Sequence, residues 1–157
     1  MAPENNSKPG PLGPSAQEIR ILALDVGQKR IGLAVSDPLG ITAQGLRVLP
    51  RQGKESDLAR LREVAETYRV QEIVVGLPRH MDGRLGNLAP EILELARSLG
   101  EALGVPVTPW DERLTTQEAE RVLIQADLSR RRRRQVVDQL AAVLILQSYL
   151  DHRRRTP

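Results

Sequence analysis

Residues 21–37 read ILALDVGQKRIGLAVSD, and this stretch decides the architecture. Ile21, Leu22, Ala23 and Leu24 form the apolar run of a buried strand, and Ile31, Leu33 and Val35 alternate with smaller residues as a second strand does. Gly27, Gln28, Lys29 and Arg30 lie between the two, so the pair reads as a β-hairpin. Asp25 then falls at the end of a central strand, beside a tight turn. A carboxylate leaving an apolar layer is costly unless a cation or several donors compensate it. The position is therefore a metal or phosphate site, or a local turn cap.

Downstream, Leu46 and Val48 alternate with Gly45 and Arg47, which predicts a third strand over 43–49. Leu58, Leu61, Val64, Ala65 and Tyr68 recur at three- and four-residue spacing, giving an amphipathic helix over 55–68. The β-branched EIVVGL at 72–77 is a strand stopped by Pro78, and the loop RHMDGRLGN follows. A second helix pattern covers 88–103, with Pro90 tolerable in its first turn and Gly104 at its end. Residues 106–110 predict another strand, and Thr115 or Thr116 could cap a helix reaching 126. The final helix, 131–151, is apolar around most of its circumference and so is expected to be largely buried. Three adjacent antiparallel strands, followed by alternating helices and strands, predict an α/β fold with a mixed sheet flanked by helices. Residues 1–18, rich in Pro, Gly, Asn and Ser, read as a disordered tail, residues 19–151 as one domain and residues 152–157 as a basic tail.

Composition narrows the chemistry. The chain of 157 residues is 40% hydrophobic and suits one domain with a sizeable core. It has no cysteine, which excludes disulfides, thiolate metal sites and a thiol nucleophile. Neither a signal-peptide pattern nor a run of roughly 20 apolar residues appears, so a cytoplasmic location without membrane association is expected. The sequence pI is about 9.8, and Arg130, Arg131, Arg132, Arg133 and Arg134 form an unbroken basic run. Aromatic residues make up only 2%, too few for a binder that stacks bases on aromatic platforms. Any nucleic acid would be held mainly through its phosphates.

The acidic residues gain meaning together. Asp111 and Glu112 follow the strand predicted at 106–110, where open α/β sheets place their sites. Asp138 lies early in the last helix, on a face whose next turns are Ala141, Ala142 and Ile145, so it would point at the sheet. Taken singly, these are a turn residue, a helix-start charge and a first-turn acid favoured by the helix dipole. Aimed at one edge, they match hard divalent cations, which prefer oxygen ligands and can work in pairs on phosphodiester bonds. His80 and His152 read as surface residues.

Four ordered segments carry a resemblance: DVGQKRIGLAVSD at 25–37, IVVGLPRHMDG at 73–83, WDERLTTQEA at 110–119 and DQLAAVLILQSYL at 138–150. Together they resemble the YqgF/RuvX family of pre-16S rRNA nucleases, also described as Holliday junction resolvases, over residues 21–150. The resemblance implies an RNase H-like fold and Asp25, Glu112 and Asp138 as catalytic, metal-binding acids, with Asp111 the alternative to Glu112. It also implies Mg²⁺ or Mn²⁺ as cofactor, and pre-rRNA or branched DNA as partner, with a homodimer suited to a symmetrical junction. Lys29, Arg30, Arg113 and the run Arg130 to Arg134 would contact phosphates. The expected reaction is hydrolysis at the 5′ end of pre-16S rRNA. The alternatives are cleavage of four-way DNA junctions, or a non-catalytic ribosome-assembly or transcription factor that uses only the basic face.

Overall fold

The computed structural model describes residues 19–78, 86–111 and 130–155, with side chains over 140–154 in the last segment. Within these residues the strands are β1 (Ile21–Val26), β2 (Arg30–Ser36), β3 (Ala43–Pro50), β4 (Glu72–Leu77) and β5 (Val107–Asp111). The helices are α1 (Lys54–Thr67), α2 (Ala89–Leu103) and α3 (Arg130–Arg155). The sheet order is β3-β2-β1-β4-β5. β2 pairs antiparallel with β1 and β3, whereas β4 pairs parallel with β1 and β5. Each of these elements lies within two residues of its predicted bounds, except at the far end of α3. The helix expected to follow Thr115 or Thr116 lies outside the described residues.

Strand alternation divides the core into two layers. Leu22, Leu24, Ile31, Leu33, Ile73 and Val75 face α1 and α2 and pack with Leu61, Ile92, Leu95 and Leu99. Ile21, Ala23, Ala34 and Val74 face the other way and pack with Ala142, Ile145, Leu146 and Leu150 of α3. A sheet covered on both faces needs central strands without polar interruption, which is why β1 reads as a continuous apolar run. Fully burying one such Leu or Ile side chain is worth about 1.5–3 kcal/mol.

Two glycines seat α2 against the sheet edge. A Cβ on Gly100 would lie 2.5 Å from Val107 Cγ2, so only glycine lets the helix approach β5 this closely. Gly104 caps the helix with φ of 69°, in the left-handed region that glycine enters without a steric penalty, and its N–H donates to Gly100 O.

The basic tail expected from residue 152 is instead the last turn of α3, which runs on to Arg155. Arg153 Nη1 donates to Glu72 Oε1 at 2.9 Å, and Tyr149 OH and Thr108 Oγ1 donate to Glu72 Oε2. Trp110 sits edge-on to Tyr149, with centroids 5.3 Å apart, and its Nε1 donates to Ser148 Oγ at 3.2 Å. These contacts hold the C-terminal half of α3 over the start of β4 and the neighbouring β5. No helix among the described residues is long and apolar enough to cross a membrane.

Candidate active site

Asp25 is the penultimate residue of β1 and is half-buried. It shares strand parity with Ile21 and Ala23, so it lies on the face that α3 covers. Its partner on β2 is Gly32. On the other side, β1 and β4 run in register up to Leu24 and Val75, so Gly76 is the next residue beside it. The carboxylate therefore emerges between two neighbouring strands that carry no side chains at its level.

The turn after Asp25 is closed by Gly27 N–H donating to Arg30 O at 2.8 Å. Lys29 is exposed on the turn. Arg30, half-buried at the start of β2, shares parity with Gly32 and Ala34 and so lies on Asp25's face. Both cations thus stand at the same end of the sheet as Asp25. The loop after β4 is drawn together at its base by Gly86 N–H donating to Pro78 O at 2.8 Å.

Asp111 is the last residue of β5, at the same sheet end, but it belongs to the opposite face. Val107, two turns of the pleat earlier, packs into the α1/α2 layer, whereas Trp110 packs toward α3. Strand parity places Asp111 on the face opposite Asp25. Glu112 and Arg113 lie outside the described residues. Asp138, Arg130, Arg131, Arg132, Arg133 and Arg134 fall within α3, whose backbone alone is described there. Among the described residues, no three His, Asp or Glu side chains are grouped to hold a metal.

Arg51 and Asp57, which brace this end of the molecule, escaped the sequence reading. Arg51 donates Nη1 to Gly27 O at 2.8 Å, and its backbone N–H donates to Lys29 O at 2.8 Å. The same guanidinium reaches Asp57 Oδ2 at 2.8 Å and Glu91 Oε1 at 2.9 Å. Asp57 is fully buried and also accepts from Gln52 N–H at 2.9 Å and Arg60 Nη2 at 2.6 Å. Burial pushes the Asp57 carboxyl up, but the Gln52 N–H, Arg51 and Arg60 together outweigh it and hold the group below the usual carboxylate range. In sequence, Asp57 looks like an ordinary first-turn helix acid, and Arg51 like a loop cation.

A mixed sheet in this order, with α3 on one face and an acid at the end of its central strand, defines the RNase H-like class to which junction resolvases belong. RuvC of T. thermophilus, solved in complex with a Holliday junction substrate, shares the fold at a TM-score of 0.58 and 18% identity, over 88% of this chain and 97% of that one. The fowlpox virus resolvase with its junction DNA gives a TM-score of 0.56 at 11% identity, over 85% of this chain and 98% of that one.

The family model RuvX, described as Holliday junction resolvase, matches residues 19–152, and the chain belongs to that family. Relatives carrying the name "Putative pre-16S rRNA nuclease" include one from Moorella thermoacetica, 58% identical over 133 residues, covering 85% of this chain and 95% of the relative. Another, from Syntrophomonas wolfei, is 54% identical over 133 residues, covering 85% of this chain and 94% of the relative.

Proposed function

We propose that this chain is a metal-dependent nuclease that hydrolyses phosphodiester bonds in structured nucleic acid, acting on the 5′ end of pre-16S rRNA. The observation that carries the reading is Asp25, half-buried at the end of β1 between Gly32 and Gly76, on the face that α3 covers. Family membership and the names of the close relatives support the reaction and the rRNA substrate.

Helix direction supports Asp138 as the partner of Asp25. Tyr149 and Arg153 meet Glu72 at the start of β4, so α3 runs antiparallel to β1 and β4, and its N-terminal half heads for the end where Asp25 lies. Ala23 and Ala142 belong to one packed layer. From Ala142 back to Asp138 the helix covers about 6 Å. From Ala23 on to Asp25 the strand covers about 6.6 Å, so the two acids advance together. Strand parity favours Glu112 over Asp111 as the third acid, because Asp111 stands on the wrong face.

Asp25, Glu112 and Asp138 form an all-oxygen donor set of the kind that holds Mg²⁺ or Mn²⁺. When bound, a pair of such ions activates a water and stabilises the leaving oxygen. The chain itself supplies the anionic ligands, the dry sheet floor beneath them and the cations that draw the substrate in. Lys29 and Arg30 neutralise phosphates beside Asp25, with Arg113 and Arg130 to Arg134 extending the grip. The expected location is the cytoplasm, in ribosome biogenesis.

The family description supports a second substrate, a four-way DNA junction, whose symmetry would suit a homodimer. The test is incubation of the protein with labelled pre-16S 5′-leader RNA and with a four-way DNA junction, each in Mg²⁺, Mn²⁺ or EDTA. EDTA-sensitive cleavage of the RNA alone supports the rRNA reading, and cleavage of the junction alone replaces it with the DNA reading. Folded protein that binds either substrate without cutting it would be a non-catalytic nucleic-acid-binding factor.

A further inference from the structure

One residue outside the β1–β2 turn holds both ends of it. Arg51 takes the Gly27 carbonyl with Nη1 and the Lys29 carbonyl with its backbone N–H, each at 2.8 Å. Its remaining donors bind Asp57 on α1 and Glu91 on α2, so a single guanidinium spans the turn and both helices. The Arg51 side chain is only 13% exposed and the Asp57 side chain 0%.

An apolar contact would fasten α1 to the sheet without removing charges from water. What the ionic arrangement adds is direction. A guanidinium offers five donors in a rigid planar fork, so its bonds to Asp57 and Glu91 fix where Nη1 points. Asp57 is itself fixed by Gln52 N–H and Arg60. Gly27 follows Asp25 by two residues and Lys29 by four. A displaced turn would carry Lys29 away from the acid it accompanies and loosen the end of β1.

We propose that Arg51 is a positioning residue for the active end of the sheet, holding the turn so that Lys29 and Asp25 keep the spacing that substrate and metal require. This inference rests on the nuclease reading above. Asp57 aims the guanidinium, and Glu91 ties it to the helix that follows the β4–α2 loop. Lysine cannot replace the fork, because one ammonium cannot serve Gly27, Asp57 and Glu91 in their fixed directions.

The experiment compares wild type, Arg51→Lys, Glu91→Gln and Asp25→Asn by thermal melting, Mn²⁺ titration, and kcat and KM on the labelled 5′-leader RNA and the DNA junction. Misplacing a catalytic group by about 1 Å costs on the order of 10²-fold. Arg51→Lys should lose about 10- to 10²-fold in kcat and bind Mn²⁺ more weakly, well below its melting temperature. Glu91→Gln removes only the outer tie, from an exposed side chain, and should lose a few-fold in kcat with unchanged melting. If Arg51→Lys does not fold, Glu91→Gln decides alone. Wild-type kcat and Mn²⁺ affinity in the folded Arg51→Lys variant, or in Glu91→Gln when that variant decides alone, overturn the positioning role while an inactive Asp25→Asn leaves the nuclease reading intact. Should Asp25→Asn cleave like wild type, the nuclease reading fails first and this inference with it.

Discussion

The two ends of the sheet each present a carboxylate on the face that α3 covers, and they use it differently. At the start of β4, Glu72 receives donors from Thr108 on β5 and from Tyr149 and Arg153 on α3. The group is sealed, with 14% of its side chain exposed, and its task is to fix the helix. At the opposite end, Asp25 stands between Gly32 and Gly76, and the effort goes into its surroundings: Arg51 and the buried Asp57 hold the turn. A strand-end acid enclosed by donors from several elements becomes structure. Asp25 is set instead between two glycines, beside a turn that Arg51 and Asp57 brace.

The largest effect should come from neutralising the acids at the Asp25 end. Because removing even an outer partner of a metal ligand costs 10–100-fold, Asp25→Asn, Glu112→Gln or Asp138→Asn should each lower the cleavage rate by more than about 10²-fold. Nucleic-acid affinity in Ca²⁺ and thermal melting without metal should be retained, since the amides are nearly isosteric. Asp111→Asn, on the other face, should cleave like wild type. A dead Asp111→Asn beside an active Glu112→Gln would reverse that assignment.

The Glu72 end should respond in the opposite sense. Glu72→Gln keeps the shape but gives up its charge-assisted bonds with Tyr149 and Arg153, which should cost about 1–3 kcal/mol in urea unfolding. Cleavage by the folded fraction should not change. A large loss of kcat at unchanged stability would erase the distinction between the two ends.

Acid should weaken the brace through Asp57. The Asp57 carboxyl is held below its ordinary value of 3.8 in the folded chain, so it contributes stability that is fully present above that value. The contribution is lost as pH falls below 3.8 toward the lower folded value. Melting temperatures measured from pH 6 down to pH 3 should drop in that window, and Asp57→Asn, less stable at neutral pH, should show a shallower drop. An unchanged acid slope in Asp57→Asn would contradict the network.

The smallest effect concerns salt. Replacing Arg130 to Arg134 with alanine should flatten the dependence of log affinity on log salt by roughly one unit for each phosphate no longer neutralised. An unaltered slope would return the run to a solvated helix face.

Much of this was legible in the residues. The apolar run of β1, the alternation of β2 and the helical spacing in α1 and α2 are local patterns, imposed by burial on chains of period 2 or 3.6, and the elements form where those periods place them. The motif at residues 25–37 already singled out Asp25, Lys29 and Arg30. The face that Asp111 takes was not legible in that way, because neighbouring residues at a strand end differ only in which face they take. That face depends on where β5 pairs, and its register with β4 places Val107 against Ile73. The end of α3 also eluded composition, since a cluster of arginines after an apolar helix reads as a tail until a half-buried acceptor such as Glu72 appears opposite it.

By itself, then, the sequence determined the order of elements, the two-sided core and the acid at the end of the central strand, because these follow from local periodicity and from the cost of burying charge. Only the tertiary structure decided that Glu72 takes donors from α3 and β5, and that Arg51 and Asp57 brace the turn beside Asp25. Those properties rest on directional bonds, many of them between residues far apart along the chain, 40 positions from Arg51 to Glu91 and 81 from Glu72 to Arg153. No local pattern encodes such a bond, since its partners meet only when the strands pair in one register and the helices dock.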